Sequence, residues 1–312
     1  MEVTEKLKIL DSFLGDHKKV GNEYLYFCPL CSHHKRKLSL NLSKGKYKCW
    51  ICDVSGNIRK LVRSKGTYEM FSRWKQIDGD IDLGTDINDL FADIEKKEEE
   101  ILTMPESFAT LTSNLSKLKH SQPQSYLSGR GLSKEDILYW KIGYCYDGEY
   151  KDRVVIPSFN LKGNLNFFVS RRVNKSVYPT YKLPEASKDI IFNELYLDFD
   201  RDLVVTEGVF DAMKAGQNSV PLLGSTLHEE NKLFQKIVKH DTPVYMALDP
   251  DARKKENEII RSFIGYGIDV YKVDISGYKD AGEMTKEEFK KRKDRAILMN
   301  HEKLLQQELG VN

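Results

Sequence analysis

Apolar and polar positions change period several times along the chain. Residues 37–42 alternate, Ser43-Lys44-Gly45 makes a turn, and Lys46-Tyr47-Lys48 returns, which predicts an antiparallel hairpin. The turns Asp78-Gly79-Asp80 and Leu83-Gly84-Thr85, then a helical period over 89–101, predict a connector over 67–105. Residues 124–139 read as a helix broken at Gly129-Arg130-Gly131 and restarted with Ser133 as N-cap and Asp136 at N3. Strands are expected at 153–157 and 165–173, joined by a turn at 160–163. From Leu203 onward, strands at 203–206, 220–226, 244–248 and 269–273 alternate with helices opening at Val209 and Ala252. Such alternation predicts a parallel sheet with right-handed crossovers. Residues 285–309 read as one charged amphipathic helix.

Composition adds class and setting. The 312 residues are 40% apolar and 31% charged, too long for one small core and suited to two or three domains. No apolar run approaches the ~20 residues of a membrane-spanning helix, and the charged N-terminus lacks a signal-peptide core. A reducing, cytoplasmic interior without membrane attachment is the expectation. The net charge of +2 conceals an uneven distribution. Residues 1–66 carry 14 Lys and Arg against 6 Asp and Glu, whereas 76–106 carry 2 against 11. A basic head before an acidic stretch fits separate modules, the head suited to phosphate backbones, though solvated charged faces give the same pattern.

Four of the five cysteines form two pairs, Cys28-Pro-Leu-Cys31 and Cys49-Trp-Ile-Cys52, separated by the hairpin segment 32–48. Each pair aims two thiolates at one point, and the hairpin between brings the pairs together, the spacing of a structural zinc ribbon. Two disulfides are the alternative, but nothing in the sequence indicates an oxidising compartment. His33 and His34 follow Cys31 too closely to be needed as ligands, and Cys145 reads as a core thiol. A ribbon of this kind is expected to present Lys35, Arg36, Lys37, Lys44, Lys46 and Lys48, with Tyr47 and Trp50 among them. Cations beside aromatic faces suit a single nucleic-acid strand.

Acidic residues stand where the predicted parallel strands end: Glu207, then Asp211 on the following helix, Asp249 and Asp251, and Asp280. Ligands bind at the carboxyl ends of such strands. Two carboxylates ~5 Å apart repel by roughly 3 kcal/mol at an effective dielectric near 20, so a cluster calls for a cation. Oxygen-only ligands favour Mg2+ or Mn2+ over zinc. Arg153, Arg171, Arg172 and Lys182 lie around the middle strands, either as ordinary edge charges or as a cationic groove for phosphates.

Taken in order, these motifs resemble the bacterial and phage DnaG-type DNA primases. The ribbon with Gly56-Asn57 after it resembles that family's zinc-binding domain. Tyr126-Leu-Ser-Gly-Arg130-Gly131-Leu132, Ser170-Arg171-Arg172-Val173 and Tyr181-Lys182-Leu-Pro resemble its basic motifs. Glu207-Gly208, Asp211, Gly224-Ser-Thr226, Asp249-x-Asp251 and Lys279-Asp280 match the Toprim set, shared with type IA topoisomerases and some nucleases. Two departures stand out: Ala252-Arg253-Lys254 where Ala-Gly is usual, and Asp280-Ala-Gly-Glu283 in place of an Asp-Pro-Asp type sequence, which leaves the roles of Asp280 and Glu283 open.

The resemblance implies a multidomain α+β protein: a zinc ribbon (1–66), an acidic linker (67–105), a mixed α+β basic subdomain (106–200), an α/β Toprim domain (201–284) and a C-terminal helix (285–312). It implies a stand-alone form without a fused helicase, synthesising short RNA primers on a single-stranded DNA template from ribonucleoside triphosphates. One structural zinc on Cys28, Cys31, Cys49 and Cys52 and about two catalytic Mg2+ or Mn2+ ions would be its cofactors. Glu207, Asp249 and Asp251 are the expected metal ligands, assisted by Asp211 and Asp280. Arg130, Arg153, Arg171, Arg172 and Lys182, with Lys35, Arg36 and Trp50 of the ribbon, are the expected nucleic-acid and nucleotide contacts. A replicative helicase is the expected partner, by way of the C-terminal helix. A Toprim nuclease and a non-catalytic recombination mediator are the alternatives.

Overall fold

A computed structural model describes residues 2–78, 102–112 and 117–309. The expected helical period over 89–101 lies outside the described residues. The chain divides into two units, the first taking the N-terminal part up to Asp78 together with Val238–His240 and Ser262–Ile268.

The first unit opens with helix α1 (Glu2–Leu14). Strands β1 (Lys18–Val20), β2 (Glu23–Tyr26), β3 (Leu38–Asn41), β4 (Lys46–Cys49) and β5 (Ser55–Asn57) form an antiparallel sheet in sequence order. The expected hairpin is β3–β4, with Leu38 opposite Cys49. Helix α2 (Ile58–Lys65) follows directly, capped by Asn57, whose side chain accepts from the Arg59 amide at 2.8 Å. Ile9, Leu10, Tyr26, Leu38, Leu40, Leu61 and Val62 make the core.

The expected linker does not begin at residue 67. Helix α3 (Tyr68–Asp78) inserts Trp74 into this core, and the Lys6 ammonium lies over the Trp74 ring and pairs with Asp78 at 2.6 Å. Met70, Phe71 and Ile77 pack on the same core at helical spacing around Trp74, whose ring alone removes about 150–250 Å² from water.

The second unit holds two further sheets. In chain order its first part is β6 (Phe108–Thr110), α4 (Lys117–Gly129), α5 (Lys134–Tyr139), β7 (Gly143–Cys145), β8 (Arg153–Phe159), β9 (Leu165–Arg172) and β10 (Tyr181–Lys182). These strands make an antiparallel sheet of order β10-β9-β8-β7-β6. The Ser133–Asp136 capping box starts α5 as the sequence predicts.

The remaining elements are β11 (Leu203–Thr206), α6 (Val209–Ala215), β12 (Ser219–Pro221), α7 (Lys232–His240), β13 (Val244–Ala247), α8 (Arg253–Gly265), β14 (Val270–Lys272), α9 (Lys286–Asp294), β15 (Ile297–Leu298) and α10 (His301–Leu309). The third sheet has order β12-β11-β13-β14-β15. Its first four strands are parallel, and β15 runs antiparallel against β14. The chain steps from β11 to one side for β12 and returns to the other side for β13, so strand order reverses at β11, where such sheets open a crevice.

The single C-terminal helix expected over 285–309 is instead α9, β15 and α10. The apolar run Ile297-Leu-Met299 adds an edge strand and breaks the helix there. Phe289 of α9 joins the core with Val204, Ala247 and Met284, and Leu304 of α10 is buried. No described helix is long and apolar enough to cross a membrane.

Candidate metal centres and active site

In the first unit, the segment after β2 and the turn from β4 to β5 carry the two Cys pairs to one point. The Cys28 and Cys52 sulfurs are 3.9 Å apart and those of Cys31 and Cys49 3.8 Å, and all four lie within 4.8 Å of one another. A tetrahedron of ~2.3 Å metal–sulfur bonds has edges of about 3.8 Å, so the spacing fits one ion. All four thiols are free of disulfides. Burial acts to raise the Cys28 thiol, but the Cys31 and Leu30 amides outweigh it and bring its pKa below the usual value. Those amides stabilise a thiolate, the form a metal takes. His33 and His34 lie against each other outside the cluster, their ring centroids 4.3 Å apart. Cys145 is a core thiol between Val155 and Phe168.

Two residues expected on the open face of the ribbon are not there. Lys37 is fully buried, its ammonium donating to the Val238 and Tyr266 carbonyls of the same unit at 3.2 and 3.1 Å. Trp50 is 7% exposed and stands edge-on to Tyr266. The Lys48 ammonium lies over the Trp50 ring at 4.9 Å, and a base cannot stack on a ring this buried, which removes Trp50 as a platform. Lys35 and Arg36 stay near the surface, donating to the Gly267 carbonyl and to Asp16.

In the second unit, Glu207 follows β11 and Asp249 follows β13, neighbouring strands paired through Thr206 and Ala247. Asp211 sits at the third position of α6 and is buried. Its Oδ2 accepts from the Gly208 amide and its Oδ1 from the Gly282 amide, both at 2.8 Å. One side chain thereby joins the turn after β11 to the turn that carries Asp280. Both turns need glycine: a Cβ at Gly208 would sit 2.9 Å from Asp211 Oδ2, and one at Gly282 would sit 2.8 Å from Oδ1. Asp280 precedes the short 3-10 turn Ala281–Glu283, while the Glu283 carboxylate accepts from the Lys279 amide at 3.0 Å. Asp251 lies in the turn Pro250–Ala252 and is exposed.

Charges and orphaned atoms show what these acids lack. Burial, then the charges of Asp211, Glu207, Asp280 and Asp251, push Asp249 up to about 7. Burial and Asp280 push Asp211 up to about 6, against the pull of the Gly208 and Gly282 amides. Glu207 Oε2 and Asp249 Oδ1 are buried without a hydrogen-bond partner. A buried carboxylate oxygen left unpaired is costly, and a divalent cation bound there removes the cost. An all-oxygen donor set is the kind Mg2+ or Mn2+ takes, although among the described residues only the four cysteines bring three or more ligand atoms within 4.8 Å of one another. Sequence reasoning missed Lys255, whose ammonium reaches Glu207 Oε1 at 2.8 Å. No local signal marks it, because Glu207 and Lys255 follow different strands of the sheet.

The basic residues separate into two groups. Arg130 Nε donates to the Tyr126 hydroxyl at 2.8 Å, and its guanidinium lies over the Phe210 ring at 4.6 Å. Arg171 covers the same ring at 5.3 Å and Tyr181 at 4.7 Å. The Tyr181 hydroxyl feels the charges of Arg171, Arg130 and Asp211 together, which brings both guanidiniums into the neighbourhood of that acid. Arg153 is not in this group: it is 2% exposed and donates to the Pro179 and Thr180 carbonyls at 2.6 and 3.3 Å. A guanidinium spent on loop carbonyls in the interior cannot meet a phosphate, so its expected role is corrected to a structural one. Arg172 donates to the Val177 carbonyl at 2.8 Å, and Lys182 pairs with Glu149 at 2.8 Å.

No family model matches the chain. It is 23% identical to the DNA primase of Campylobacter jejuni over 300 residues, 80% of this chain and 48% of that protein. It is likewise 23% identical to the Thermotoga maritima DNA primase over 340 residues, 92% of this chain and 59% of the relative. A solved structure of the zinc-binding and RNA polymerase domains of Aquifex aeolicus primase aligns with 96% of this chain and 86% of its own. Its sequence identity is 20% and its TM-score 0.47. The chain spans about half the length of the curated relatives it matches. In sequence, across four-fifths or more of its length, the chain is similar to bacterial DNA primases.

Proposed function

We propose that the chain is a DNA-directed RNA polymerase that makes short RNA primers on single-stranded DNA. The observation that carries this reading is the set of acids at the switch point of the parallel sheet, with two buried oxygens unpartnered, in a chain akin to DNA primases. In the reaction, the 3′-hydroxyl of one ribonucleotide attacks the α-phosphate of the next, a P–O bond forms, and pyrophosphate leaves. Glu207, Asp249 and Asp251 would hold about two Mg2+ or Mn2+ ions, which lower the pKa of an attacking hydroxyl and screen phosphate charge. Asp211 is a positioning residue, fixing the Glu207 and Asp280 turns through two amides. Arg130 and Arg171, braced on Phe210, would hold triphosphate or template backbone, which makes binding salt-sensitive. Cys28, Cys31, Cys49 and Cys52 would hold one zinc, and the ribbon would hold template through Lys35 and Arg36. A replicative helicase remains the proposed partner, reached through the exposed side of α10.

The test is primer synthesis from labelled ribonucleotides on varied single-stranded templates with Mg2+ or Mn2+, run beside Asp249→Asn. Short template-dependent products, reduced at least about a hundredfold in the variant, are expected. Nicked DNA without synthesis would reassign the acids to strand cleavage.

A further inference from the structure

The carboxylates of Glu207, Asp211, Asp249, Asp251 and Asp280 gather at this site, and the ammonium of Lys255 enters it. Lys255 lies in the first turn of α8, directly after the Asp249-Pro-Asp251 turn. Its side chain is 18% exposed and that of Glu207 24%, so the ion pair is largely withdrawn from water. The pair is incomplete in a particular way. Lys255 satisfies Glu207 Oε1, while Glu207 Oε2 and Asp249 Oδ1 stay buried and bare. A single positive charge on a flexible four-carbon stem meets one oxygen, whereas a divalent cation draws several oxygens at once.

We propose that Lys255 is a built-in counter-ion that holds Glu207 until a divalent cation displaces it, and so sets the affinity of the carboxylate site for metal. This rests on reading the carboxylates as a divalent-cation site. Without metal, the ammonium keeps Glu207 from standing as an uncompensated charge in a partly buried site. With metal, it must yield Glu207, and the loss of that pair subtracts from the binding free energy. Lysine suits such a role better than arginine, whose planar fork would grip both oxygens and resist exchange. The departure from Ala-Gly after Asp251 falls in the same turn, where this chain places a helix start rich in cations instead.

The experiment measures Mn2+ binding to the zinc-loaded full chain from the electron paramagnetic resonance signal of free Mn2+, with thermal melting in parallel. Lys255→Met is expected to tighten Mn2+ binding about tenfold, the scale of removing one nearby positive charge at surface-like screening. It should also melt lower than wild type without metal and gain more on adding Mn2+. Lys255→Arg is expected to bind Mn2+ more weakly than wild type. A Lys255→Met affinity within about twofold of wild type, or a tighter one for Lys255→Arg, overturns the proposal. Asp249→Asn separates the two readings. If it abolishes Mn2+ binding while Lys255→Met changes nothing, the metal site stands and the counter-ion falls. If wild type binds no Mn2+, both fall.

Discussion

The thiolate and carboxylate centres solve the same problem, gathering like charges, by opposite means. The four cysteines come from one short segment, Cys28 to Cys52, and their sulfurs lie within 4.8 Å of one another. The acids are spread over a much longer stretch, Glu207 to Asp280, and converge because parallel strands end together. The first centre is closed, and a metal there stabilises the fold it sits in. The second keeps buried oxygens bare and acid pKa values raised, at a cost in stability. Buried acids left this way must be supported from elsewhere, here by the amides on Asp211 and by Lys255.

Removing a thiolate should have the largest effect. Cys49→Ser is expected to lose zinc, worth ~10 kcal/mol or more of apparent folding energy in small sites. Zinc analysis and calorimetry should then show the metal gone and the melting temperature sharply lowered. An unchanged melting temperature would mean that the ribbon core stands without metal.

Asp249→Asn should do the reverse, losing synthesis yet stabilising the metal-free protein. A carboxyl raised to about 7 in the fold is easier to bury protonated, so wild-type stability falls as pH rises from about 4 through about 7. The variant should melt higher than wild type above that range, by about 1 kcal/mol after allowing for solvent screening, and equally below it. Added Mn2+ should stabilise wild type alone. Melting curves across pH with chelator present check this, and a variant less stable at pH ~8 would break the contrast.

Arginine substitutions sharpen the same distinction within the second unit. Arg153→Ala should cost about 2–4 kcal/mol, since it strips donors from two carbonyls and empties a packed space. Arg171→Ala should change stability by less than about 1 kcal/mol while weakening single-stranded DNA binding and its salt dependence. Denaturant melts and fluorescence anisotropy separate the two.

A local effect, on stability alone, is expected at Asp136. Burial raises its pKa, but the Lys286 ammonium and the Ser133 amide outweigh that and lower it overall. Its contribution is therefore present above pH ~4 and lost as pH falls through the lowered value. Asp136→Asn should cost about 1 kcal/mol at neutral pH and nothing in acid, by urea melts at both.

Much of this was legible in sequence where the signal was local. The Cys spacing, the Ser133 capping box and the β11–α6 step each announce themselves within a few positions. The signal for helix α3 is also local, Met70, Phe71, Trp74 and Ile77 at helical spacing, but the acidic composition that follows masks it. Residues 285–309 were misread because β15 depends on a free sheet edge that only the assembled strands create. Arg153 and Arg171 look alike in the chain, and only packing shows one buried against loop carbonyls and the other leaning on Phe210. Lys255 sat in plain view, but its partner Glu207 stands at the end of a different strand, and only the paired sheet brings the two together.

The two glycines facing Asp211 also restrict how this sequence can drift. Position 208 and position 282 each contact a different oxygen of one side chain, so neither can gain even a methyl group alone without displacing it. Replacing Asp211 first would leave two amides without acceptors and two turns free to move apart. Any viable route to a different arrangement therefore has to change three positions almost at once. In descendants of this chain, the three should be kept together or lost together, so the loss of one is a readable sign that the chemistry has been abandoned.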